Sequence, residues 1–88
     1  MRFSFDPAKA AANLKKHGIA LSDAGGALED PLAVTVEDPD AEGEQRFVTI
    51  GIGTAGQLLV VVYTWREDTC RLISARAATN KERREYEG

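Results

Sequence analysis

Cysteine is nearly missing from this 88-residue chain. Cys70 stands alone, so no internal disulfide can form. A reducing compartment fits, and Cys70 is read as a small apolar strand residue. Histidine also occurs once, as His17. No group of His, Cys and carboxylates has the spacing of metal ligands, so neither a metal nor a cofactor is expected. No apolar run approaches the ~20 residues that span a bilayer. The opening Met1-Arg2-Phe3-Ser4-Phe5-Asp6-Pro7 lacks the apolar stretch of a signal peptide. No membrane partner is expected, and the chain is read as cytoplasmic. Basic charge is in the minority: 11 Lys and Arg stand against 14 Asp and Glu, giving a net charge of −3. Taken alone this argues against nucleic-acid binding, which usually leaves a basic footprint. Apolar residues at 43% and charged residues at 28% give a globular composition. The length predicts one domain, residues 1–88.

The charges are unevenly spread. Glu37, Asp38, Asp40, Glu42 and Glu44 crowd one short stretch. Arg66, Arg71, Arg76, Lys81, Arg83 and Arg84 dominate a later one, opposed only by Glu67, Asp68 and Glu82. A phosphate at close range meets the local field rather than the net charge.

Phe3-Ser4-Phe5 reads as a short strand. Asp6 is an N-cap with Pro7 at the first helical position, and the helix runs to His17, where Gly18 stops it. Lys15, Lys16 and His17 in its last turn complement the helix dipole. Leu14 and the alanines form its apolar stripe. A second, short helix is expected from Leu21-Ser22-Asp23, capped by Ser22, weakened by Gly25-Gly26 and ended by Asp30-Pro31. Strands follow: Leu32 to Glu37, Phe47 to Ile52, Leu58 to Trp65 and Arg71 to Arg76. The acidic stretch, Gly53 to Gly56 and Glu67-Asp68 supply the turns. Leu58 to Trp65 is too continuously apolar to have one wet face and should be central. Thr79 and Glu82 form a capping box opening a last, mostly polar helix anchored by Tyr86. The order predicts an α+β fold: an antiparallel meander of about four to five strands, two N-terminal helices and one C-terminal helix, with the helices on one face.

Several of these segments resemble the BrnT-like toxins. They are Phe5-Asp6-Pro7-Ala8-Lys9, Asn13-Leu14-Lys15-Lys16-His17-Gly18, Asp30-Pro31-Leu32, Glu44-Gln45-Arg46-Phe47-Val48-Thr49-Ile50-Gly51, Leu59-Val60-Val61-Val62-Tyr63-Thr64, Ile73-Ser74-Ala75-Arg76-Ala77-Ala78-Thr79 and Lys81 to Glu87. The resemblance covers nearly the whole chain in order. It implies a RelE-like fold, an endoribonuclease toxin of a type II toxin–antitoxin system that inhibits translation, and neutralisation by a BrnA-like antitoxin in a hetero-oligomer. DNA would be contacted only through the antitoxin. Phe3-Ser4-Phe5 and Gly25-Gly26 depart from the family's commonest pattern.

Metal-free RNA cleavage turns the 2′-hydroxyl onto the adjacent phosphate. It needs proton transfer and positive charge on the phosphorane. Arginine suits the second task, since its fork binds phosphate oxygens and stays charged. With Glu67-Asp68 as a two-residue turn, Thr64 opposes Arg71 and Arg66 lies diagonal to Arg71 on one face. The pair either grips a phosphate or bonds to nearby acids such as Glu67 or Glu82. Arg76 is a further catalytic candidate or a partner of Glu82 or Glu85. His17 is a candidate acid or base, or simply a cation at a helix end. Tyr63 and Trp65 either stack on unpaired bases or pack in the core. Lys16, Lys81, Arg83 and Arg84 either track an RNA backbone or remain solvated. A noncatalytic RNA- or protein-binding module, or a subunit of an autorepressor complex, is the alternative reading.

Overall fold

The computed structural model describes all of residues 1–88. Its elements run β1 (Arg2–Ser4), α1 (Pro7–His17), a 3₁₀ turn (Leu21–Asp23), α2 (Gly25–Glu29), β2 (Val34–Glu37), β3 (Phe47–Ile52), β4 (Leu58–Arg66), β5 (Thr69–Ala77) and α3 (Asn80–Glu87). The five strands form one sheet in the order β1-β5-β4-β3-β2. This is the α+β class read from the sequence, with two corrections. The sheet is mixed rather than wholly antiparallel, because β1 returns to pair parallel to β5. The helices also lie on both faces of it. Burying only one face would leave the apolar β4 half wet, and α3 covers part of the second face.

Alternation along the strands divides the sheet into two faces. On one face Leu59, Val61, Tyr63, Cys70, Leu72 and Ala75 pack with Ile19, Leu21, Ala24 and Ala27 from the α1–α2 layer. On the other, Ile50, Leu58 and Val60 meet Ala78 and Tyr86 from the α3 end. The central position of β4 therefore explains its unbroken apolar run.

Helix α1 has the expected ends. The Asp6 side chain accepts from Ala8 N–H, Pro7 begins the helix, and Gly18 closes it at φ 71°. Its apolar stripe is not the expected one, however, because Leu14 is exposed. The buried residue of the helix is Asn13. Its Nδ2 donates to the Ile19 and Ala75 carbonyls, both at 2.9 Å, and its Oδ1 accepts from Ala75 N–H at 3.0 Å. β1 pairs β5 only from Thr69 to Arg71. Beyond that point β5 has an open edge, and the Asn13 amide satisfies it as a neighbouring strand would.

Ser22 caps nothing: the Leu21–Asp23 turn and α2 both lack a side-chain cap bond. α2 instead persists through close packing on the sheet. A Cβ at Gly26 would lie 2.6 Å from Thr54 N, and one at Gly51 would lie 2.4 Å from the Ala27 carbonyl oxygen. The absent side chains let backbone meet backbone, which compensates the low helix propensity of glycine.

The capping box of α3 is formed: the Thr79 side chain accepts from Glu82 N–H, and the Glu82 carboxylate accepts from Thr79 N–H. Two polar contacts moor this helix. Arg76 and Glu82 form a bidentate pair at 2.7 and 2.8 Å. Tyr86 Oη donates to Asp30 Oδ2 at 2.5 Å, and the same carboxylate oxygen accepts Ile52 N–H.

Candidate functional site

The β4–β5 hairpin has the expected register. Arg66 faces Thr69, Thr64 faces Arg71, and a bulge between Val62 and Tyr63 then shifts the pairing so that Val62 faces Ser74. Arg66 and Arg71 are thus diagonal neighbours on the face opposite the α1–α2 core. Arg66 is exposed and bonds to Glu44 through Nε at 3.2 Å. Such a surface pair contributes at most about 1 kcal/mol and yields readily to a stronger anion. Arg71 is half-buried and forms no ion pair.

Register brings two further arginines to the same end of that face. In the β1–β5 pairing Arg2 lies beside Thr69 and Ser4 beside Arg71. Arg46 stands one residue before the β3–β4 ladder, across from Thr64. Its Nε is buried without a hydrogen-bond partner. A buried guanidinium nitrogen left unsatisfied calls for an anion or another acceptor that the bare protein does not supply. Arg2, Arg46, Arg66 and Arg71 therefore collect on one end of an open sheet face, with Glu44 the acid held against them. Sequence reading missed Arg2 and Arg46. The signal was the ladder arithmetic extended across all five strands rather than one hairpin.

Arg76 does not join this group. It lies five residues further along β5, ~16 Å at strand rise, and its fork is spent on Glu82. Hydrogen bonding to that fork holds the Glu82 carboxyl at about 2. Tyr63 is corrected outright: it is buried, its ring packs against Phe47 and Trp65, and its hydroxyl bonds to Thr49 Oγ1 at 2.9 Å. No base can stack there. Trp65 is 43% exposed, but it shares the core-side face with Tyr63, across the sheet from Arg66 and Arg71. Burial pushes the Cys70 thiol up to about 11, as suits a small core residue and not a nucleophile.

His17 and Lys16 come together with Lys9, Asn13, Ile73 and Ser74 around an open depression of about 220 Å³. It sits at the open edge of β5, just past the end of β1. Ser74 is three residues from Arg71, ~10 Å along the strand, while Lys16 and His17 reach this edge from α1, on the core side of the sheet. Lys81, Arg83 and Arg84 project into solvent from α3 without ion pairs. No three His, Cys, Asp or Glu side chains cluster so as to hold a metal ion, and no helix is long and apolar enough to cross a membrane.

No curated protein matches this sequence. Among solved structures, the 1.1 Å crystal structure of the Brucella abortus ribonuclease toxin BrnT matches with a TM-score of 0.66. The two chains are 23% identical over 91% of this chain and 99% of that one, which establishes the shared fold. The family model for the ribonuclease toxin BrnT of type II toxin–antitoxin systems matches residues 5–82. With nearly the whole chain spanned by that model, the protein belongs to the BrnT family of type II toxin–antitoxin ribonuclease toxins.

Proposed function

We propose that this chain, folded as a single domain, is a metal-independent endoribonuclease that arrests translation in the cytoplasm and is silenced by a BrnA-like antitoxin. DNA contact would come only through that antitoxin, in a toxin–antitoxin hetero-oligomer. The observation that carries the reading is the convergence of Arg2, Arg46, Arg66 and Arg71 on one open end of the sheet, with the single histidine in a depression further along the edge of β5.

In the proposed reaction the 2′-oxygen forms a bond to phosphorus and the bond from phosphorus to the 5′-oxygen breaks. The 2′-hydroxyl proton goes to a base and a proton reaches the departing 5′-oxygen. The products are a 2′,3′-cyclic phosphate and a 5′-hydroxyl end. Arg71 and Arg46 carry the charge role, since neither guanidinium is held by a carboxylate. Arg66 joins by exchanging Glu44 for phosphate. His17 is the proton carrier of the depression, and Lys16 holds the adjoining phosphate. Lys81, Arg83 and Arg84 add attraction at longer range.

The test uses the purified full-length chain with a labelled single-stranded RNA in excess chelator. Expected are cyclic-phosphate products, their loss in Arg71→Ala, and a large reduction in His17→Ala, with folding retained in both. The pairing of Arg76 with Glu82, and of Arg66 with Glu44, favours a second reading, a module that only binds. RNA retained but intact in that assay would establish the binding module and end the nuclease proposal.

A further inference from the structure

The arginine-bearing face continues past Arg46 onto the β2 edge, where Asp38 N–H donates to the Arg46 carbonyl at 2.8 Å. β2 is the last strand of the sheet, paired on one side only, and all four of its residues are exposed. On this face it presents Val34 and Val36, 37% and 58% exposed. With Val48 and Ile50 of β3 they floor a groove of about 230 Å³. α3 walls the groove on one side through Glu82 and Glu85, and Glu37, Asp38 and Pro39 close one end. The Glu82 carboxylate is spent on Arg76 and the cap, which leaves Glu37, Asp38 and Glu85 to set the charge of the rim.

Those features select the occupant. A rim of carboxylates repels a phosphate backbone, so RNA does not extend into this end. The volume falls below the ~300–1,000 Å³ of small-molecule sites, so the groove suits a few side chains of a longer segment. An apolar floor with an acidic rim complements an aliphatic segment flanked by lysine or arginine. A partner seated there lies on the same sheet face as Arg46 and Arg71, and only a few strand positions away.

We propose that the groove between β2 and α3 is the docking site of the antitoxin, which inserts aliphatic side chains flanked by basic residues. From there its acidic remainder covers the arginine end of the face. Inhibition is then steric and electrostatic obstruction of the RNA face, anchored outside it. This rests on the toxin–antitoxin reading above.

The test measures binding of a BrnA-like antitoxin to the full-length toxin, by titration calorimetry, together with RNA cleavage. Val36→Asp and Glu85→Lys alter exposed residues outside the arginine cluster. Both should cleave RNA as the parent does, and both should bind the antitoxin at least tenfold more weakly and resist its inhibition. Circular dichroism checks that both fold, and Val36→Thr, which keeps the shape without the charge, should bind nearly as the parent does. Parental affinity in both charged variants overturns the docking site while leaving the antitoxin reading intact. Absence of any binding to the parent toxin overturns that reading and the docking site with it. If light scattering shows a parent dimer that Val36→Asp dissolves, the groove belongs to a second copy and the proposal fails.

Discussion

At the scale of single residues, the buried polar groups hold the architecture, and the unpaired cations are the groups to which the proposed chemistry is assigned. Asn13 makes three hydrogen bonds that tie α1 to the open edge of β5. Removing its amide leaves two carbonyls and one N–H of the interior unsatisfied. Asn13→Ala should therefore cost about 2–3 kcal/mol, read as a lower urea midpoint with an unchanged slope. The depression beside it should lose its shape, so cleavage should fall even below the unfolding transition. Arg71 makes no ion pair, and its loss should barely affect folding. Arg71→Ala should weaken RNA binding by about 1–2 kcal/mol, a factor of roughly 5–30, measured by fluorescence anisotropy. Trp65→Ala should weaken it far less, since the indole lies across the sheet from the arginines. Equal losses in the two variants would mean that RNA wraps around the hairpin tip.

At the scale of elements, α3 is the most conditional part of the molecule. It buries no residue of its own and is held chiefly by the Arg76–Glu82 and Tyr86–Asp30 contacts. Both carboxyls titrate below their ordinary values: Glu82 through hydrogen bonding to Arg76, and Asp30 through its bonds from Tyr86, Ile52 and Leu32. A depressed carboxyl contributes stability that is complete above its ordinary value and lost as pH falls through the folded one. Docking of α3 should hold at neutral pH, weaken as pH falls below about 4.5, and vanish toward pH 2. Tyr86 shifts the other way, raised by its bond to Asp30, so its contribution persists below pH 10 and fades above. Backbone chemical shifts of residues 80–87 should report loss of α3 before the sheet melts, and Tyr86→Phe should move the acid midpoint upward. Much of this level was legible in the sequence. Asp6, Pro7, Gly18, Thr79 and Glu82 act locally, so they mark helix ends wherever they occur. The parallel partner of β1 was not legible, because three residues carry no record of a strand more than sixty positions away. The purpose of Gly25-Gly26 was hidden for a similar reason. As helix residues they read as weakness, and only the nearness of Phe3 and Thr54 reveals them as contact points. The site was half legible: one hairpin's register yields Arg66 and Arg71, while Arg2 and Arg46 join them only across the assembled sheet.

At the scale of the whole molecule, the proposed cleavage asks a chain of net charge −3 to hold a polyanion. The fold reconciles the two by placing the arginines on β1, β5, β4 and the start of β3 and the acid-rimmed groove beside them, at the β2–α3 edge of the same face. An RNA strand then gains only from the phosphates it lays on the arginine end, and the acidic remainder repels the rest. This limits the number of contacts and sets a measurable quantity. Each neutralised phosphate of a single strand contributes about −0.7 to the slope of log affinity against log salt concentration. With Arg2, Arg46, Arg66 and Arg71 each holding one phosphate, the slope should be about −3. Affinity should then fall roughly fifty-fold between 50 and 200 mM salt. Replacing Arg46 or Arg71 by alanine should each bring the slope to about −2, whereas Arg76→Ala, whose guanidinium already serves Glu82, should leave it unchanged. A slope well beyond −3 in the parent protein would enlist Lys81, Arg83 and Arg84 on α3 as further phosphate contacts. One near zero would mean that the arginine end does not hold the backbone at all.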